Sequence, residues 1–250
     1  MEENTKTNGV RLAVAGVSKS FGEEKILQDI NLTLKEGELV SILGVSGVGK
    51  TTLFQVISGL TRPDEGKVLL DQEDITGQSG RVSYMLQKDL LLPYRTIQDN
   101  VILPLLIQGM KKAQAREKAD PLFAAFGLEG TQKKYPRQLS GGMRQRAALL
   151  RTYLASHGVV LLDEPFSALD MITKGQMHRW YLEVARKIGL STLLITHDVD
   201  EAIMLSDRIY LLTGTPGEIP ITPPRPRSRE FTLSEDFLRY KRMIMDRIRG

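Results

Sequence analysis

The spacing of apolar residues changes several times along the chain, and each change marks an element. Val10 to Val17 and Ile26 to Leu34 read as strands, with Phe21-Gly22-Glu23-Glu24 as the turn between them. Leu39-Val40-Ser41-Ile42-Leu43 is a short apolar run of the kind a buried strand carries. Thr52 to Ile57 has helical spacing, and Gly59 and Thr61-Arg62-Pro63-Asp64-Glu65-Gly66 end it. Lys67 to Leu70 and Arg81 to Leu86 read as short strands. From Thr96 the pattern turns helical, at Gln98 to Gln108, Lys112 to Phe126 and Gly142 to Ser156, punctuated by Gly127, Gly130 and Pro136. Strand character returns at Val159 to Leu162, Thr192 to Thr196 and Ile209 to Leu212, with helices Lys174 to Lys187 and Val199 to Leu205 between them. A last helix, Ser234 to Arg249, carries Phe237, Tyr240, Met243, Ile244 and Ile248 on one face. That face is expected to pack on the domain rather than lie on a membrane, despite Lys241, Arg242, Arg247 and Arg249.

Strands alternating with helices predict an α/β fold with a mainly parallel sheet. The helical block between two strands predicts an inserted subdomain at about residues 88–155 of a single domain spanning 1–250. Residues up to about Asn8 are expected to fray. Pro220 to Glu230 holds the run Pro223-Pro224-Arg225-Pro226-Arg227-Ser228-Arg229. It reads as an extended surface linker, with a site for an anionic partner as the alternative. His157 and His178 read as ordinary satisfied polar residues.

Composition narrows the class. The 250 residues are 41% hydrophobic and 26% charged, ordinary for a soluble globular protein. There is no cysteine, which excludes disulfides and thiolate metal sites and fits a reducing compartment. Met1-Glu2-Glu3-Asn4-Thr5 is polar and acidic, unlike a secretory leader. Val101 to Ile107 is too short to span a bilayer and contains Pro104. The chain is therefore expected in the cytoplasm, with any membrane role reached through a partner. A net charge of +4 is too mild to argue nucleic-acid binding.

The chemistry centres on Gly44-Val45-Ser46-Gly47-Val48-Gly49-Lys50-Thr51, which fits G-x-x-x-x-G-K-[ST] between a strand and a helix. Glycines let the backbone curl so that successive amides face an anion, and the helix start adds positive potential there. Lys50 can reach the β- and γ-phosphates of a nucleotide, and the Thr51 hydroxyl can bind Mg²⁺. Thr52 continues the cradle. Val159-Val160-Leu161-Leu162-Asp163-Glu164 is an apolar strand ending in two acids. At the carboxyl end of a parallel strand, Asp163 is placed to hold Mg²⁺ directly or through water, and Glu164 to take a proton from attacking water. Leu139-Ser140-Gly141-Gly142-Met143-Arg144-Gln145-Arg146 is a second glycine turn at a helix start, with the same affinity for anions.

With that octet the chain resembles the ATP-binding subunits of ABC transporters, whose signature motif it matches. The resemblance runs from about residue 10 to 213, on a P-loop NTPase core of RecA-like type with an antiparallel β subdomain and a helical insert. It implies that Gln87 is the Q-loop residue and helps Thr51 hold Mg²⁺. It also implies that Ser167-Ala168-Leu169-Asp170 is the D-loop, that His197 is the switch histidine at the γ-phosphate, and that Phe21 stacks on adenine. Ser140, Gly141 and Gly142 would bind the γ-phosphate of ATP held by a second copy, with Asp170 near the shared boundary. A membrane permease and, indirectly, a solute-binding protein are the further partners, at the cytoplasmic face of the cell membrane.

Leu91-Leu92-Pro93-Tyr94-Arg95-Thr96, the stretch Asp163 to Asp170 and Thr196 to Ala202 resemble the nitrate/sulfonate/taurine class of importer ATPases, which implies a small anion or sulfonate-like solute. The chain departs from that class at Tyr94, Val45, Val48 and Ser156-His157-Gly158, and none of these departures removes a phosphate or metal ligand. The segment around Gln87 to Thr96, with its exposed-looking Leu91-Leu92-Pro93-Tyr94 run, is the expected coupling surface. The alternatives are a soluble ABC ATPase acting on nucleic acid or ribosomes, and a P-loop kinase. Against the first stands a single cassette without sustained heptads; against the second, the signature octet and Glu164.

Overall fold

The computed structural model describes residues 9–156, 158–213, 217–220, 227 and 230–249. In chain order these form β1 (Val10–Phe21), β2 (Glu24–Lys35), β3 (Leu39–Leu43), α1 (Lys50–Ile57), β4 (Glu65–Leu70), β5 (Glu73–Asp74), β6 (Ser83–Met85), α2 (Ile97–Val101), α3 (Leu103–Ile107) and α4 (Lys112–Ala125). They continue with α5 (Gly141–Ala155), β7 (Val159–Asp163), α6 (Met171–Lys187), β8 (Ser191–Ile195), α7 (Val199–Leu205), β9 (Arg208–Leu211), β10 (Gly217–Pro220) and α8 (Glu235–Arg249). The expectations for the first eight residues, for His157 and for most of the Pro/Arg run fall outside the described residues. Two compact units emerge: the chain up to Arg81 together with the part from Gly189 onward, and Val82–Ile188.

The first unit holds two kinds of sheet. One is antiparallel, in the order β2-β1-β4-β5. The β1–β2 hairpin closes at Phe21↔Glu24, where Gly22 takes a positive φ that suits a tight turn. In the other, β3 pairs in parallel with β8 and with β9, and β10 pairs antiparallel to β9. Every residue of β3 and β8 is buried, which is why both read as unbroken apolar runs rather than alternations. Helix α8 lays Phe237, Tyr240 and Ile244 into a cluster with Leu43, Ala202, Ile203, Ile209 and Leu211. Full burial of a Phe, Leu or Ile side chain such as those in this cluster contributes about 1.5–3 kcal/mol. The apolar face of the last helix packs on the domain as its spacing predicts.

In the second unit β6 and β7 run parallel, with Ser83↔Val160, Tyr84↔Leu161 and Met85↔Leu162. Helix α5 packs against α2, α3, α4 and β6. Phe126 meets Trp180 edge to face at 5.7 Å between ring centroids. Phe166 meets His178 in the same way at 4.9 Å, so His178 is a packed ring here.

The architecture is α/β, as the alternation of elements predicts, with two local corrections. Gln98 to Gln108 forms two short helices rather than one, meeting at Ile102. Pro104 has no N–H for the carbonyl of Asn100, and its ring crowds that carbonyl. Within the Pro/Arg run, Arg227 is buried, not a surface residue, and its guanidinium donates to the carbonyl of Ile203 in the last turn of α7. A cation at a helix C-terminus faces the negative end of the helix dipole.

Candidate functional site

The first unit carries the glycine loop. After β3 the chain turns through Gly44 to Gly49 into α1, with Gly47 at φ 82 and Gly49 at φ 100. At Gly49 conformation and space both require glycine: a Cβ would stand 2.8 Å from Ile26 Cγ2 and 3.1 Å from the Ile26 carbonyl oxygen. At Gly44 the reason is space alone, since a Cβ there would meet the Leu212 carbonyl oxygen at 2.4 Å. Gly49 is the N-cap of α1, and no side chain caps that helix. The start of a helix is where backbone amides and the helix dipole favour an anion. Lys50 is only 8% exposed, and its Nζ donates to the carbonyls of Gly44 (2.8 Å) and Val45 (2.9 Å). The ammonium thus closes the loop on itself. Val45, Ser46, Gly47 and Thr51 are exposed, while Val48 and Thr52 are half-buried.

Two further candidates belong to the same unit. Phe21 ends β1 with 53% of its surface exposed, and Lys19 Nζ lies 5.5 Å from its ring centroid. Lys19 also pairs with Asp64 at 2.7 Å. His197 is exposed just beyond β8, between two anchored neighbours. Thr196 Oγ1 donates to Glu201 Oε2 at 2.6 Å, and Asp198 caps α7 by accepting from the amides of Asp200 (3.0 Å) and Glu201 (3.1 Å).

The second unit brings the two acids together with two donors. Asp163 ends the fully buried β7 and is itself only 8% exposed. Tyr84 donates its hydroxyl to Asp163 Oδ2 at 3.0 Å. Burial first, then the neighbouring carboxylate, push the Tyr84 phenol above its ordinary value. Gln87 Nε2 donates to Glu164 Oε2 at 3.1 Å. Glu164 sits at φ 46, in the left-handed region that costs a residue with a Cβ about 1–2 kcal/mol. Its carbonyl accepts from the amide and the hydroxyl of Ser167, at 3.2 and 2.9 Å, which holds the turn.

The glycine turn at the start of α5 belongs to this unit too. Ser140 is the N-cap of α5 and accepts from the Met143 amide at 3.3 Å. Gly141 and Gly142 have ordinary helical backbone. A Cβ at Gly142 would stand 3.3 Å from Thr173 Cγ2, but one at Gly141 would meet only ordinary contacts. Asp170 caps α6, accepting from the amides of Ile172 and Thr173 at 3.1 Å each. The Thr173 hydroxyl and then those amides hold its carboxyl below the usual aspartate range.

Sequence reasoning passed over the residues that fix the segment after Gln87. Arg144 Nε reaches Asp89 Oδ2 at 3.2 Å, and Arg151 donates to the carbonyls of Asp89 (2.6 Å) and Leu90 (2.9 Å). Helix α5 thereby grips the stretch that follows Gln87. Asn100, fully buried, accepts from the Leu92 amide at 2.6 Å and donates to the carbonyls of Leu92, Arg95 and Thr96. Leu91 is buried by this arrangement, against expectation, whereas Tyr94 is 93% exposed. A buried asparagine beside a loop was the available signal, because such a side chain needs partners for all its polar atoms.

Among the described residues no group of three or more His, Asp or Glu could hold a metal by itself. The first unit offers the Thr51 hydroxyl and the second the Asp163 carboxylate, and oxygen donors of each kind suit a hard cation such as Mg²⁺.

Residues 27–167 match a family model described as ABC transporter. The chain is 44% identical over 211 residues to the formylaminopyrimidine import ATP-binding protein ThiZ of Halalkalibacterium halodurans, covering 83% of this chain and 82% of that protein. It is 39% identical over 224 residues to the taurine import ATP-binding protein TauB of Escherichia coli (strain K12), covering 90% and 88%. Among solved structures it resembles the ATP-binding cassette MJ0796 in a dimeric post-hydrolysis state bound to ADP and Pi. The TM-score is 0.71 and the identity 30%, over 85% of this chain and 100% of that one.

Proposed function

This chain belongs to the ABC transporter family of ATP-hydrolysing cassettes, and we propose that it is the subunit whose ATP hydrolysis drives a membrane importer. The observation that carries the proposal is the Glu164 carboxylate, held by Gln87 at 3.1 Å beside the buried Asp163 at the end of β7. A positioned carboxylate next to a metal-binding one is what activation of water at a phosphate requires.

The roles follow from residue chemistry. Gly44 to Gly49 present amides to the phosphates, and Lys50 and Thr52 complete that cradle. Thr51 and Gln87 hold Mg²⁺ with support from Asp163. When bound, Mg²⁺ offsets the negative charge on the phosphate oxygens. Glu164 accepts the proton of the attacking water, His197 contacts the γ-phosphate, and Phe21 stacks on the adenine. Ser140, Gly141 and Gly142 of one copy close over the ATP of another, with Asp170 at the boundary. The dimeric relative bound to ADP and Pi supports that pairing.

The names of the relatives, import ATP-binding proteins both, support a permease partner and a place at the cytoplasmic face of the cell membrane. No helix among the described residues is long and apolar enough to cross a membrane. Residues 88–155 act as the helical subdomain that passes motion to the permease, with the exposed Tyr94 in the contact. A solute-binding protein delivers the cargo. The taurine-importing relative supports a small anion or sulfonate-like solute.

The test is hydrolysis by the purified chain with ATP and Mg²⁺. Glu164→Gln should slow it by about 10²–10⁴-fold, and reconstitution with the permease should stimulate the unmodified chain. Absence of hydrolysis with or without permease, or stimulation by nucleic acid in place of permease, contradicts the proposal.

A further inference from the structure

We propose that Tyr84 is a positioning residue, whose hydroxyl holds the Asp163 carboxylate in the orientation that binds the metal. The inference rests on the reading of Asp163 as a support for Mg²⁺. Strand geometry carries it. Tyr84 pairs with Leu161 across the parallel β6–β7 ladder. Asp163 lies two residues beyond Leu161, so all three side chains share one face of the strand pair. A tyrosine leaning along the strand spans that offset, and its hydroxyl donates to Asp163 Oδ2 at 3.0 Å.

Burial makes the contact consequential. Asp163 is 8% exposed and Tyr84 is only partly accessible. A carboxylate withdrawn from water keeps the rotamer that its protein donors dictate. Donors of this kind orient a ligand toward its metal, and their removal typically weakens metal affinity about 10–100-fold. The neighbouring acid has its own donor, Gln87 Nε2 on Glu164 Oε2 at 3.1 Å. The Tyr84–Gln87 stretch thus supplies one donor to each of two consecutive acids. The Asp163 donor is fixed in β6 and the Glu164 donor follows the strand's end. Asp163 is thereby held from a strand of the sheet, and Glu164 from the segment beyond it.

The test uses the full chain saturated with a non-hydrolysable ATP analogue. Mn²⁺ is the probe, followed by electron paramagnetic resonance, and affinity for the analogue is measured separately without divalent metal. Tyr84→Phe should weaken Mn²⁺ binding about 10–100-fold, leaving metal-free analogue binding and Tm near those of the unmodified chain. Asp163→Asn is the control. If it weakens Mn²⁺ binding and Tyr84→Phe does not, the Tyr84 inference is overturned and the Asp163 reading stands. If Asp163→Asn leaves Mn²⁺ binding unchanged, the Asp163 reading itself fails and the inference falls with it. Tyr84→Met provides a second removal of the hydroxyl should the phenylalanine variant not fold. Failure of both to fold assigns the hydroxyl bond to stability and overturns the inference.

Discussion

The chain has two glycine turns at helix starts, and they are built differently. At the loop into α1 the glycines are demanded by the chain itself: Gly49 at φ 100 would drive a Cβ against Ile26, and Gly44 would drive one into the Leu212 carbonyl. That loop is closed internally by Lys50, bonded to two of its own carbonyls. At the start of α5 the helix is capped by Ser140, the backbone is ordinary, and no contact among the described residues calls for glycine at 141. The first turn is thus held together by the chain's own contacts. The second has a glycine that neither backbone nor packing explains, which fits a surface kept bare for something outside the chain. This contrast is what the shared-site reading requires.

Substitutions separate the two. The largest effect is expected for Lys50→Ala. Hydrogen bonds to charged groups are worth about 1.5–3 kcal/mol each, so losing the ammonium should weaken ATP binding by about 10²-fold or more in a nucleotide titration. Near-normal affinity would remove the first turn from the site. Next is Gly49→Ala, where positive φ and a tight contact together should lower stability by about 1–3 kcal/mol, read from denaturant midpoints. A neutral result would mean that the loop relaxes freely and the contrast is false. Gly141→Ala should do the opposite. Alanine is favoured over glycine within a helix by about 0.5–1 kcal/mol, and at a first helical position the gain is at most that. Stability should hold or rise slightly, and ATP binding should stay, while hydrolysis falls. Loss of stability there would show that glycine is needed for folding after all.

Smallest in the isolated chain is Tyr94→Ser. The side chain is 93% exposed, so stability should move within about 0.5 kcal/mol. Basal hydrolysis should persist, and transport with the permease should fall. Intact transport would move the coupling surface elsewhere.

What could be read beforehand was whatever one local segment specifies. The buried runs of β3 and β7 announce themselves by composition, α8 by its apolar spacing, and the glycine loop by its residue pattern. What escaped reading depends on partners distant in sequence. Tyr84 becomes informative only once β6 is paired with β7, seventy-nine residues separating it from Asp163. Arg144 and Arg151 look like ordinary polar positions of a helix until the loop at Asp89 and Leu90 folds against them. Leu91 lies in an apolar run that reads as exposed, and burial sorted it from Leu92 and Tyr94 through Asn100, whose bonds pin the loop. Arg227 escaped because a proline-rich run gives no periodicity from which burial can be read.

The central claim is that each working site combines the α1 loop of one copy with the α5 turn of another. Mixing Lys50→Ala chains with Ser140→Arg chains tests it most directly, because a mixed pair keeps one intact composite site and one doubly damaged site. The account predicts that hydrolysis returns in the mixture although neither variant works alone. A mixture that forms proven mixed pairs and stays inactive would contradict it.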